Sequence, residues 1–209
     1  FNDSLSETIT SRNSHISYKP LLESKIYNSN RIYKDSTYQK NWFTRKVFQE
    51  HLFVIDKGDF WCSFDPIFNF EVGTDLSETA KQTYWKNTRG YFIQGNITSK
   101  FSFGTYLYEN QAEFISYQDS MFRSRGELYP NSANTEYVRR NAVIPGMART
   151  KPFKTAAFDY AMAGGYISVS PIQQLNIQLG HGANFVGNGY RSLFLSDNSA
   201  HYPYLKLNT

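Results

Sequence analysis

Gln174-Leu175-Asn176-Ile177-Gln178-Leu179 runs into Gly180-His181-Gly182-Ala183-Asn184-Phe185-Val186-Gly187-Asn188-Gly189-Tyr190-Arg191, and the reading of this stretch decides the fold. In the first six residues Leu175, Ile177 and Leu179 share one phase while Gln174, Asn176 and Gln178 share the other. Strand side chains alternate with period two, so the segment presents one apolar face and one uncharged polar face. Such a strand suits a wall with hydrocarbon on one side and water on the other. The glycines that follow let the backbone turn where a Cβ would clash. Ser192-Leu193-Phe194-Leu195 then reads as an apolar strand-like burst, closed by the turn signal Ser196-Asp197-Asn198.

The same alternation recurs outward from this point. From Phe60 to Val72 every even position is apolar, while Trp61, Ser63, Asp65, Ile67, Asn69 and Glu71 take the odd phase. The run is long enough to cross a membrane as a tilted strand. Pro66 is expected to interrupt it with a bulge or to divide it in two. Gly73-Thr74-Asp75 opens a polar loop expected to reach about Lys86. Two alternating runs, from Tyr91 and from Phe101, flank Thr98-Ser99-Lys100 and predict a β-hairpin. Phe158 to Ser170 reads as strand with a bend or close approach at Gly164-Gly165, and Tyr202 to Thr209 is strand-like again. Between Asn110 and Thr150 the pattern dissolves into a long polar connection, of a size that is usually functional or poorly ordered. Phe43 to Leu52 carries apolar residues four apart and predicts a short helix that has to dock to persist. Residues 1–57 are thus expected to be an N-terminal arm with a short helix, and residues 58–209 strands and loops.

Composition agrees with a membrane wall. The 209 residues include 16 Tyr and 17 Phe, yet only 40% are hydrophobic and the mean hydropathy is -0.54. Aromatics in interfacial girdles around a polar interior account for both values; an aromatic-rich soluble sandwich shares them. The net charge of +4 reads as a mild excess spread over the chain with no basic tract, which speaks against nucleic-acid binding. The single cysteine, Cys62, cannot form an intrachain disulfide and reads as an apolar filler in phase with phenylalanines. Phe1 to Ser6 has no charged start or apolar core of a secretory signal, so an exported protein has already lost one. The strand-like end at Thr209 leaves an unpaired edge that lipid does not tolerate, so the chain is expected to be the N-terminal part of a longer protein.

Asp65-Pro66 with Phe68-Asn69-Phe70, Asn87-Thr88-Arg89-Gly90, Glu109-Asn110-Gln111, Val143-Ile144-Pro145-Gly146, Phe158-Asp159-Tyr160 and the glycine-rich run from Gly180 to Leu193 follow one another in an order that resembles the Wzi-like family of Bacteroidetes outer-membrane capsule-assembly proteins, which includes the gliding-motility protein RemB. The resemblance covers most of the chain from about residue 15 and is strongest in the glycine-rich run. It implies an all-β fold, an antiparallel outer-membrane β-barrel of a Gram-negative bacterium with a short helical segment before it. It also implies partners: outer-membrane lipid, with surface polysaccharide or gliding and secretion machinery. Its members are longer than this chain.

No catalytic constellation or cofactor motif emerges. His15, His51, His181 and His201 are scattered without metal-ligand spacing, and Gly187-Asn188-Gly189 lacks the Lys-Ser or Lys-Thr of a phosphate loop. The candidate ligand-binding residues are Asn87, Arg89, His181, Asn188, Tyr190, Arg191, Asp197 and Asn198. A guanidinium, amides and a carboxylate near aromatics can bind sugar hydroxyls; alternatively, Arg191 and Asp197 pair inside the barrel and tie a turn, which is the commoner use of such residues. The expected function is non-enzymatic cell-surface assembly. The alternatives are a porin, whose polar phase lines a channel, or a soluble carbohydrate-binding sandwich.

Overall fold

A computed structural model describes residues 41–48, 50–76, 83–98, 100–172, 174–187 and 189–208. The arm expected over residues 1–40 lies outside them. With 59% of it in strand, the protein is all-β and antiparallel. One eight-stranded sheet has the order β1 (Phe53–Lys57), β2 (Phe60–Thr74), β3 (Thr83–Ile97), β4 (Phe101–Glu113), β8 (Ala157–Ile172), β9 (Leu175–Gly182), β10 (Tyr202–Asn208), and β7 (Thr150–Phe153) pairs with β8 beside β9. Between β4 and β7 lie a helix, α2 (Ser116–Ser124), and a separate hairpin, β5 (Glu127–Pro130) and β6 (Tyr137–Arg140). Among the described residues β1 and β10 stand as the two edges of the large sheet. The sheet begins at Phe53, ahead of the boundary expected at residue 57.

The register turns the alternation of the sequence into two faces of opposite character. Straight across the sheet, Ile55, Cys62, Gly95, Phe103, Ile167, Leu179 and Leu205 form one row. Ile55, Ile167, Leu179 and Leu205 in it are all exposed. The adjoining row of the other phase runs through Trp61, Asn96, Ser102, Ser168, Gln178 and Lys206. Here Ser102, Ser168 and Gln178 are buried, together with Trp61. The polar side of Leu175–Gly182 therefore lies inward and its apolar side outward, the reverse of a water-soluble sheet.

Several of the buried polar groups find one another, as burial favours, although the Ser63, Ser102 and Thr150 hydroxyls do not. Thr88 donates to Asn110 Oδ1 at 2.7 Å and Asn176 Nδ2 to Ser168 Oγ at 2.7 Å. Gln178 Nε2 donates to Tyr204 Oη at 3.2 Å. Glycines on this face stand opposite tyrosines: Gly104 faces Tyr166 and Gly164 faces Tyr106. A Cβ at Gly104 would lie 2.6 Å from the Tyr166 ring, so the ring covers the backbone that the glycine leaves bare. This is the close approach expected at Gly164-Gly165.

Local chemistry explains where expectation and structure part. Pro66 interrupts nothing, because β2 pairs with β3 without a break through Pro66↔Tyr91. The Thr98 N–H bond to the Asp59 carbonyl sets the hydrogen-bonded pairs at odd positions of β2. Pro66 thus turns its nitrogen away from β3, toward an edge that β1 leaves at Phe64. The polar loop expected to reach Lys86 ends earlier, since β3 starts at Thr83. The helix expected over Phe43–Leu52 is α1, Trp42–Phe48. Asn41 Oδ1 accepts the Phe43 N–H at its start. Beyond its end Asp65 takes the Leu52 N–H and faces His51, drawing the chain into the sheet. Phe43 and Val47, the face expected to dock, are exposed.

The two ends of the sheet differ. Gly58-Asp59, the 98–100 link and the 173–174 link join strands tightly at one end. Segments 75–82, 114–149 and 183–201 connect them at the other. Segment 114–149 is no structureless connection. Phe122 of α2, with Ala142 and Ile144, packs on Ala112, Phe158 and Tyr160 of the sheet's buried face. Arg123 lies over the Phe158 ring, 4.4 Å from its centroid. The result is a cap with an apolar core on the long-loop end.

Candidate functional site at the long-loop end

The exposed face is apolar near the tight turns and changes toward the long loops. There the cross-strand rows become Phe68, Arg89, Glu109, Ala161 and then Phe70, Asn87, Gln111, Asp159, Lys151. Asn87 and Arg89 therefore stand on the exposed face of the sheet, in a collar of mostly polar residues between its apolar rows and the long loops. Arg89 pairs with Glu109 at 3.5 Å, both side chains about half exposed, so the pair contributes little to stability.

Loop 183–201 carries the other candidates except His181. Ser192-Leu193-Phe194-Leu195 is not a strand: it bends, its three apolar side chains are exposed, and Leu195 has φ 60°. The Leu193 N–H bonds the Val186 carbonyl, and Gly187, at φ +105°, makes that return turn with Leu193 packed where a Cβ would sit. Arg191 and Asp197 do not pair inside the wall. Asp197 Oδ1 accepts the Ser192 N–H at 3.3 Å, so it ties the turn through the backbone. Arg191 lies 5.9 Å from the ring of Tyr190, which is 95% exposed. Asn198 takes a Ser196 hydroxyl oxygen on its N–H and borders Gly146 of the cap. Asn188 lies outside the described residues.

His181 is on the exposed face of β9, its ring 5.8 Å from that of His201. His201 Nδ1 sits 2.9 Å from the Ala163 carbonyl oxygen and donates to it, which leaves Nε2 toward Tyr106 Oη at 3.4 Å. The fold thus joins two histidines that are distant in sequence. Among the described residues no group of three or more His, Cys, Asp or Glu is placed to hold a metal ion.

The densest polar constellation is one that reading the sequence missed. On the cap, Glu127 Oε2 accepts from Tyr129 Oη at 2.6 Å and from Asn141 Nδ2 at 2.7 Å. Arg149 Nη2 donates to Tyr129 Oη at 2.9 Å and lies 3.5 Å from Glu127, and Arg140 lies 5.7 Å from the Tyr129 ring centroid. The hydrogen bonds from Tyr129 and Asn141, with Arg149 beside them, hold the Glu127 carboxyl below the usual glutamate range.

No protein family, curated protein or solved structure matches the chain.

The net charge of this end matches that of the whole chain. Segment 114–156 holds Arg123, Arg125, Arg139, Arg140, Arg149, Lys151 and Lys154 against Asp119, Glu127 and Glu136. Seven minus three is four, the +4 of the whole chain. Counting charge by segment instead of over the full length would have located it.

Proposed function

We propose that this protein is a non-enzymatic outer-membrane β-barrel wall of a Gram-negative bacterium, capped at its cell-surface end and serving surface assembly. The observation that carries the reading is the inverted sheet, in which Ser102, Ser168 and Gln178 are buried while Ile167, Leu179 and Leu205 are exposed. In water each of those aliphatic side chains forgoes roughly 1.5–3 kcal/mol available from full burial; in hydrocarbon that cost disappears. Tight turns at one end and long connections at the other fit the periplasmic and external sides of such a wall. A water-soluble sandwich would bury its apolar phase, and here the polar phase is inside. The cap bears on the porin alternative, because Phe122 and Ile144 pack over the buried face where a channel mouth would open.

Attachment of surface polysaccharide is the role this arrangement serves best, with support of gliding or export machinery as its companion in the family that the sequence resembles. The test is heat-modifiability of the protein in an envelope fraction. A band extracted only with detergent, migrating faster unboiled than boiled, is expected; recovery in the soluble fraction with no shift overturns the reading.

A further inference from the structure

We infer that the cap of segment 114–156 is a binding surface for an acidic polysaccharide, one whose sugar units carry carboxylate groups. The inference rests on the surface-assembly reading and adds to it the place and the charge class of the ligand. Outside this segment the chain is balanced, with 15 basic and 15 acidic residues left from totals of 22 and 18.

Geometry concentrates the excess further. At Gly126 the backbone carbonyls of Arg123, Arg140 and Asn141 come so close that no Cβ fits, and Arg139 Nη1 donates to the Gly126 carbonyl at 3.1 Å. The backbones of Arg125 and Arg140 and the guanidinium of Arg139 therefore meet at Gly126, Arg140 lies by the Tyr129 ring on the same hairpin, and all three arginines are exposed. Asp119 is taken by Arg123 at 2.8 Å and Glu127 by Arg149. Among the described residues, no carboxylate lies within ion-pair distance of Arg125, Arg139 or Arg140. Guanidinium groups match carboxylates as planar, two-point donors. Tyr137, 67% exposed, stands on the same hairpin, and its ring face suits the apolar side of a pyranose. Forks for carboxylates beside an aromatic platform fit a polyuronate better than a neutral glucan.

The protein refolded in detergent micelles is titrated with alginate and with dextran, first at low ionic strength and then with added salt. Alginate is expected to bind at least about tenfold more tightly than dextran, with the preference falling as salt screens the charges. Joint substitution of Arg125→Gln, Arg139→Gln and Arg140→Gln is expected to remove the preference. Lys57→Gln with Lys100→Gln, at the tight-turn end, is expected to leave it intact. Equal binding of the two polymers, a preference untouched by the arginine substitutions, or tighter binding to phosphatidylglycerol vesicles or single-stranded DNA than to alginate would each overturn the inference. The heat shift of the same samples separates the two ideas. A retained shift without selectivity sinks only the ligand assignment, whereas a lost shift in the unsubstituted protein sinks the barrel.

Discussion

The wall and the cap are made from one chain under opposite rules. In the wall Gln178 is 5% exposed and its neighbour Leu179 54%. In the cap Phe122 is 6% exposed and Arg123, next to it, is exposed. Cap residues obey the partition that water imposes. Wall residues obey the partition expected when hydrocarbon lies outside and polar groups must be satisfied within. The difference teaches that exposure alone does not define a solvent: on the proposed reading, the same fractional exposure means water at one place and lipid at another.

The largest effect expected is in the cap's core, where Phe158 is fully buried against Phe114 and beneath Arg123. Phe158→Ala should cost about 3–5 kcal/mol, read as a lowered urea midpoint for protecting the cap from protease. If cap and wall are separate in stability, the heat shift survives this change; a simultaneous loss of both would merge the two regions.

A matched pair of substitutions compares the solvents directly. Leu179 in the wall and Leu128 in the cap are 54% and 57% exposed. Leu179→Arg should destabilise the vesicle-inserted protein by about 2–4 kcal/mol, the cost of a charge at mid-band. Leu128→Arg should stay within about 0.5 kcal/mol. Equal costs, measured by equilibrium unfolding from lipid vesicles, would dissolve the distinction.

The smallest effect is the titration of Glu127. Its folded-state pKa is lowered from the ordinary glutamate value of 4.5 by the Tyr129 and Asn141 hydrogen bonds and by Arg149. A lowered folded pKa gives a contribution present above the unfolded value and lost as pH falls through the folded one. Amide exchange over residues 126–141 should therefore quicken, relative to wall amides, below about pH 4.5. Glu127→Gln should flatten that dependence, and an unchanged profile in the variant would assign it to other groups.

Much of the wall was legible in the sequence and little of the cap was. The phases of Phe60–Val72 and Leu175–Leu179, the hairpin at Thr98 and the final strand Tyr202–Asn208 follow from period two alone. Which phase lies inward does not, because periodicity is blind to the solvent on either side. Helix α2 has no side-chain cap at Ile115 and buries only Phe122, so packing on Phe114 and Phe158 holds it and local signals do not. Leu193-Phe194-Leu195 misled because an apolar triplet in an exposed loop has the composition of a strand. The candidate site was partly legible: Asn87 and Arg89 reach the collar and Tyr190, Arg191, Asp197 and Asn198 the long-loop end. The Glu127 cluster stayed hidden, since Tyr129, Asn141 and Arg149 meet only through the β5–β6 hairpin and the turn beyond it.

The central claim is that the apolar face of the sheet meets lipid. Single spin labels placed in turn along Leu175–His181, in a Cys62→Ser background and in lipid vesicles, test it most directly. Labels at Ile177, Leu179 and His181 should be relaxed by oxygen, which concentrates in the bilayer, and shielded from a water-soluble nickel complex, with the positions between them escaping the lipid. Free access of the nickel complex to Ile177 and Leu179 would contradict the account, and the sheet would then stand in water.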